Sequence, residues 1–304
     1  MSLKVLCLGM LGEFSRLPLV KLLAAGVDVC GVVVPGENSP GNPPIRLLPA
    51  QKQVSSLPLL TPYRALNIVH LAWEQSIPVY ELSRPNHPDS LAALAQLQPD
   101  VALVACFSHK IPPDLLALPR HGFLNLHPSR LPAYRGPEPI FWQLRDGVNP
   151  VGVTLHLMDA GLDTGDVVGE TAVSLPDGIS RNQIDSLCAA AGADLMLAAL
   201  AQLATGLLTH QPQPPGGSYQ PLPQPADFCL DVSWSAQRAF NFMRGTAEYA
   251  RPYLLQIAHQ TRQLTEALAY EPDGVLENVV EGGNGREIRI QFNPGILHTR
   301  LLGS

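Results

Sequence analysis

The sequence predicts a doubly wound α/β domain, Rossmann-like in its opening, followed by a small β-barrel-like domain of the OB type. Three observations support this. Apolar runs such as residues 3–8 (LKVLCL), 27–34 (VDVCGVVV) and 101–106 (VALVAC) have the continuous apolar character of strands buried on both faces. Segments of helical period lie between them, and that alternation builds a parallel sheet. A stretch rich in proline, glycine and glutamine at 206–225 then separates this pattern from a series of short β-like segments.

Taken in order, strand 3–8 runs into a helix at 16–25, which Gly26 stops, and then into strand 27–34. The first turn reads Gly9-Met10-Leu11-Gly12. It lacks the GxGxxG fingerprint, and no GK[ST] occurs, so the glycine cradle by which such folds hold NAD or ATP phosphates is missing. Residues 35–63, rich in Pro, Gly and Ser, read as a long loop. A helix at 65–75, a short strand at 78–80, a helix at 89–98, a buried strand at 101–106, a short helix at 114–118 and a strand at 122–126 follow. An apolar strand spans 151–158. The turn Leu175-Pro176-Asp177-Gly178 leads to an Ala/Leu-rich helix at 181–205, long enough to cross the sheet. Beyond the linker, a helix at 236–244 precedes β-like segments at 253–259, 263–270, 274–280, 287–292 and 296–301. The expected domains are therefore 1–205, a linker at 206–225, and 226–304.

The 304 residues are 46% hydrophobic and 15% charged, enough for a sizeable core. A net charge of -6 gives no general attraction to nucleic acid or anionic membrane. Five scattered cysteines without a CxxC pair fit reduced, mostly buried thiols in a cytoplasmic protein. The N-terminus does not read as a signal peptide, and no apolar run reaches the roughly 18 residues of a membrane helix.

The chemistry concentrates at 123–170. Asn125 and His127 stand two apart at the end of an apolar strand, so both face one side. Carboxyl ends of parallel strands are where open α/β sheets bind ligands. Asp163 lies in a Gly/Thr-rich turn after strand 151–158 and meets His127 if the two strands are neighbours. An amide can hold the oxygen of a carbonyl under attack, an imidazole can move a proton near neutral pH, and a carboxylate can orient that imidazole. With no GxSxG elbow, direct attack by an outside nucleophile is favoured over a covalent enzyme intermediate. Singly, each residue has a plain structural reading as a turn or a satisfied polar group. No metal is expected: HExxH is absent, and His121, His127 and His156 have no companion at ligand spacing.

Asn125-Leu126-His127-Pro128-Ser129, Leu131-Pro132 with Tyr134-Arg135-Gly136, Gly152-Val153-Thr154 and the run from Asp159 to Asp166 (DAGLDTGD) together resemble the formyltransferase family that uses 10-formyltetrahydrofolate. The resemblance covers about residues 3–205. The tail from Trp234 resembles, more weakly, the C-terminal β-domain of methionyl-tRNA formyltransferases. It implies that Asn125 binds the formyl oxygen, that His127 stabilises the tetrahedral intermediate and shuttles protons, and that Asp163 positions His127. It also implies a folate pocket made by 106–112, with Phe107, His109 and Ile111, and by 158–163, with Met158, Asp159 and Gly161. Arg135, Gly136 and Pro137 then stand on the acceptor side, and the patch 136–142 records the acceptor.

The acceptor itself stays open: initiator tRNA, an amino-sugar nucleotide or other small amine, or water in a folate hydrolase. A folate-binding protein without catalysis is a further reading. Phosphate binding needs basic groups. From residue 205 onward there are seven arginines against nine acids, and Arg46, Lys52 and Arg64 oppose Glu37 in the long loop. That small excess favours a small amine, whereas the two-domain layout favours the tRNA enzymes.

Overall fold

A computed structural model describes residues 3–50, 67–257, 260–282 and 285–303. Lys52, Arg64, the start of the helix expected at 65–75 and the second part of the loop expected at 35–63 lie outside the described residues. The chain divides into two compact units. One comprises Met1–Arg135, Gly152–Ala172 and Asp185–Ser218; the other comprises Gly136–Val151, Val173–Ile184 and Tyr219–Ser304.

The first unit is built on strands β1 (Lys4–Gly9), β2 (Asp28–Pro35), β3 (Ile45–Leu48), β4 (Val79–Leu82), β5 (Val101–Ala105), β6 (Phe123–His127), β7 (Val151–Leu157) and β8 (Val167–Val173). They form one sheet in the order β3-β4-β2-β1-β5-β6-β7-β8. β4, β2, β1, β5 and β6 run parallel. β3 is antiparallel to β4, and β7 to β6. The order of connection reverses between β1 and β5, which opens a crevice at their carboxyl ends beside β6.

Helices α1 (Glu13–Ala24), α2 (Ile68–Glu74), α3 (Pro88–Ala95) and α4 (Pro113–Leu116) connect these strands. The Asn67 side chain accepts from the N–H groups of Val69 and His70 and so starts α2. Pro88, at the first turn of α3, loses no helical hydrogen bond. Helix α5 (Pro139–Asp146) follows β6, and α6 (Arg181–Ala204) follows β8. By length and composition α6 would suffice to cross a membrane, a test that the core helix of a soluble protein also passes. Cys188, Ala189, Ala193 and Met196 on it are buried. A Cβ on its Gly192 would stand 2.3 Å from Leu126 of β6, so glycine permits the close approach of helix to sheet.

Two segments differ from expectation in this sheet. Part of the loop at 35–63 is the edge strand β3, too short and too broken by Pro44 and Pro49 to show a period. β8 is a strand that has no counterpart among the expected ones, because its half-exposed, mixed sequence VVGETAV carries little apolar signal.

The second unit contains a six-stranded sheet in the order β12-β13-β14-β11-β10-β9 and helix α7 (Ala236–Gly245). The strands are β9 (Cys229–Leu230), β10 (Tyr253–Ile257), β11 (Gln260–Glu271), β12 (Val280–Gly282), β13 (Glu287–Gln291) and β14 (Ile296–Leu301). The pairings leave β12 and β9 as edges. The expected strand at 274–280 is mostly turn and coil, with Val275 85% exposed and so without a face to bury.

Phe141 of α5 is fully buried and packs against Phe228, Phe242 and Tyr249 at centroid separations of 5.1, 5.4 and 5.6 Å. The aromatic residues of 136–142, Phe141 and Trp142, thus belong to the core of the second unit.

Candidate active site

β6 ends in Asn125-Leu126-His127, with Leu126 turned into the core and its two polar neighbours turned the other way. Antiparallel pairing with β7 sets Asn125 opposite His156 and His127 opposite Thr154. Residues opposite one another share a face, so all four project together. Thr154 accepts from the Leu131 N–H at 3.2 Å and donates to the Ser129 carbonyl at 2.7 Å, which fixes the chain just after His127.

His127 and Asp163 have side chains only 5% and 8% exposed, and Nδ1 of the imidazole lies 3.6 Å from Oδ1 of the carboxylate. On its other side, Nε2 lies 2.9 Å from the Tyr134 carbonyl. A carbonyl only accepts, so Nε2 carries hydrogen and Nδ1 presents its lone pair toward Asp163 in the neutral ring. Burial pushes the His127 pKa below the ordinary histidine value, against the opposing pull of the Asp163 charge and the Tyr134 carbonyl; His156 adds to the lowering. The ring is thus neutral near pH 7, with a carboxylate beside the nitrogen that would receive a proton.

Asn125 Nδ2 donates to Nε2 of His156 at 3.1 Å and reaches Oδ1 of Asp163 at 3.4 Å. His156 in turn directs Nδ1 to the Leu157 carbonyl at 2.8 Å, which leaves Nε2 as the acceptor. His156 also stands 3.6 Å from Asp163. His156 has no companion at ligand spacing in the sequence, and only the register between β6 and β7 places it beside Asn125.

Asp163 adopts φ +55, a left-handed conformation that a non-glycine residue takes only when its surroundings hold it there. Asp159 shapes the turn from within: its Oδ1 accepts from the Gly161 N–H at 2.9 Å and from the Thr164 hydroxyl at 2.7 Å. A Cβ on Gly161 would meet Thr164 Oγ1 at 1.9 Å. From outside, Gln213 Nε2 donates to the carbonyls of Asp163 and Gly165, each at 2.8 Å. Gln213 belongs to the segment read as a linker, and nothing in its sequence context distinguishes it.

Of the other expected residues, Phe107 and Met158 pack half-buried on one apolar cluster of the sheet. Ile111 is a buried member of that cluster, so only its backbone can meet a ligand. His109 donates from Nε2 to the Gly36 carbonyl at 2.9 Å, beyond the end of β2. Arg135 donates from Nε to the Asp163 carbonyl at 3.2 Å. Gly136 and Pro137 open the second unit, where Gly136 is buried and Pro137 exposed. No group of three or more His, Cys, Asp or Glu suited to a metal occurs among the described residues.

A doubly wound sheet that brings an amide, an imidazole and a carboxylate together at one strand end suits transfer of a group at a carbonyl carbon. The sequence profile described as formyl transferase matches residues 42–200. The methionyl-tRNA formyltransferase of Pelotomaculum thermopropionicum is 31% identical over 90% of this chain and 85% of its own length. The chain belongs to the formyl transferase family.

Solved structures show the same fold. The N-formyltransferase of Helicobacter canadensis, in complex with folinic acid and dTDP-3-aminofucose, has a TM-score of 0.64 at 15% identity, covering 97% of this chain and 98% of that one. HypX of Aquifex aeolicus, in complex with tetrahydrofolic acid, has a TM-score of 0.59 at 16% identity; 98% of this chain is covered, but only 44% of HypX.

Proposed function

We propose that this enzyme transfers the formyl group of 10-formyltetrahydrofolate to a primary amine, and that methionyl-tRNA is the first acceptor to test. The observation that carries the reading is the convergence of Asn125, His127 and Asp163 at the end of β6, with the His127 and Asp163 side chains buried. Asn125 offers its amide to the formyl oxygen as the amine nitrogen adds to the formyl carbon. His127, neutral and with Nδ1 toward Asp163, takes the proton that the amine loses. Returned to N10, that proton accompanies cleavage of the bond between the formyl carbon and N10. Asp163 stabilises the protonated ring between these steps.

The folate fits beside the half-buried Phe107 and Met158, against the backbone of Ile111, Asp159 and Gly161 and within reach of His109. Both segments flank β6 through its neighbours β5 and β7. Arg135, with Gly136 and Pro137 next in the chain, is placed on the acceptor side. The catalytic domain is taken as 1–205, the linker as 206–225, and 226–304 as a barrel-like C-terminal domain.

Sequence likeness to methionyl-tRNA formyltransferases over most of the chain supports a tRNA acceptor. A small amine, such as an amino-sugar nucleotide, is supported by the charge pattern: Arg46 is paired with Glu81 at 2.5 Å, so its charge is already matched. Consumption of 10-formyltetrahydrofolate, measured with methionyl-tRNA, with an amino-sugar nucleotide, with glycinamide ribonucleotide and with no acceptor, separates the readings. Turnover that requires an amine supports transfer and identifies its acceptor class. Formate release without an amine shows a hydrolase, and folate binding with no turnover in any arm overturns catalysis.

A further inference from the structure

We propose that Gln213 is a positioning residue for the reaction, and that the segment from His210 to Ser218 is a strap holding both partners of the His127 ring in place. The proposal rests on the reading of Asn125, His127 and Asp163 as the reacting set.

Both sides of the ring are tied to this one segment. On the Nδ1 side, the Gln213 amide donates to the carbonyls of Asp163 and Gly165, bracketing the turn in which Asp163 stands at φ +55. The same side chain accepts from Arg135, at 2.6 Å from Nη2 and 3.2 Å from Nε. On the Nε2 side, the Ser218 hydroxyl accepts from the Tyr134 N–H at 2.9 Å, and the Ser218 carbonyl accepts from the Arg135 N–H at 2.9 Å. Tyr134 is the residue whose carbonyl receives the His127 Nε2 hydrogen, and it too stands at positive φ, +58.

The strap is itself anchored. Val167 and Gln211 exchange backbone hydrogen bonds at 2.8 and 2.9 Å, and His210 meets Asp166 at 2.7 Å. An amide fits this position because it donates twice on one end and accepts from a guanidinium on the other. Without it, the Gly165 carbonyl loses this donor and the Asp163 carbonyl keeps the longer one from Arg135 Nε at 3.2 Å, so the turn that holds Asp163 in the left-handed region is less firmly braced.

The groups facing His127 are Asp163 from the β7–β8 turn and His156 from β7. Asp163 raises the affinity of the ring for a proton and His156 lowers it. A carboxylate that drifts away therefore lets the His127 titration fall to lower pH. A residue that merely supported the fold would not move that titration in a folded variant.

The test uses Gln213→Met, of similar length but without donor or acceptor, and Gln213→Asn, which withdraws the amide by one methylene; whichever purifies with wild-type circular dichroism is carried forward. Expected are a kcat lower by at least about tenfold with little change in KM for 10-formyltetrahydrofolate, since a misplacement of about 1 Å at a reacting group can cost about a hundredfold. The His127 resonance, followed by NMR in the free protein, should titrate at lower pH than in the wild type. A folded variant with wild-type kcat and an unmoved His127 titration overturns the proposal. Asp163→Asn serves as the control. Full activity in that variant refutes the catalytic reading itself, whereas loss of activity there beside an unaffected Gln213→Met refutes only the strap.

Discussion

Asn125 and His156 face each other across the β6–β7 pairing, with Nδ2 of one donating to Nε2 of the other at 3.1 Å. The amide proposed to hold the formyl oxygen is thereby set by a second, buried histidine. Replacing His156 by Phe keeps a ring in the space and removes the acceptor. Asn125 Nδ2 then keeps only its longer contact to Asp163 Oδ1 at 3.4 Å, and loss of a hydrogen bond of this kind costs about 0.5–1.5 kcal/mol. The variant should melt lower and lose about tenfold in kcat, both measurable by thermal unfolding and steady-state kinetics.

Alanine at Asn125, His127 or Asp163 should lower turnover by about 10²–10⁴-fold while leaving the circular dichroism spectrum unchanged. Near-normal rates in all three variants would show that the chemistry lies elsewhere.

Activity and stability should share a pH dependence through His127. The folded ring titrates below the ordinary histidine value of 6.5, chiefly because it is buried. It acts as a base only when neutral, so the acid limb of kcat should lie below that value. Between the folded and unfolded values the unfolded chain binds more protons, so stability rises with pH. This contribution is fully present above the unfolded value and is lost as pH falls through the folded one. Melting temperatures of the wild type and of His127→Asn, compared from pH 4.5 to 7.5, should show a shallower acid decline in the variant.

Gly165→Ala should impair both fold and chemistry. Its Cβ would meet the Leu157 carbonyl oxygen at 1.8 Å, and that oxygen accepts from Nδ1 of His156. Overpacking of this kind costs about 1–3 kcal/mol, and displacement of Leu157 carries His156 with it. Wild-type melting and turnover in this variant would contradict the tight turn.

Much of the sheet was legible because strands buried on both faces carry continuous apolar runs; β1, β2, β5 and β7 fall within a residue or two of expectation. β3 and β8 were not, since an edge strand needs no such run. Asn125 and His127 were legible as a pair because alternation along one strand fixes their common side. His156 was not, because its side relative to Asn125 depends on the register between two strands. The packing of Phe141 was not legible either: aromatic character marks burial without saying against what, and Phe141 is buried among Phe228, Phe242 and Tyr249.

The α/β order, the missing phosphate-cradling glycine loop and the common side of Asn125 and His127 are read from the chain alone. Those depend on local period and on side-chain chemistry, and both are properties of the chain. Folding is what brings His156 to Asn125, the Tyr134 carbonyl to Nε2 of His127, and Gln213 back to the Asp163 turn. Each of these is a contact between residues brought together by strand register or by a returning loop, and no local pattern in the chain encodes which distant carbonyl a given amide will meet.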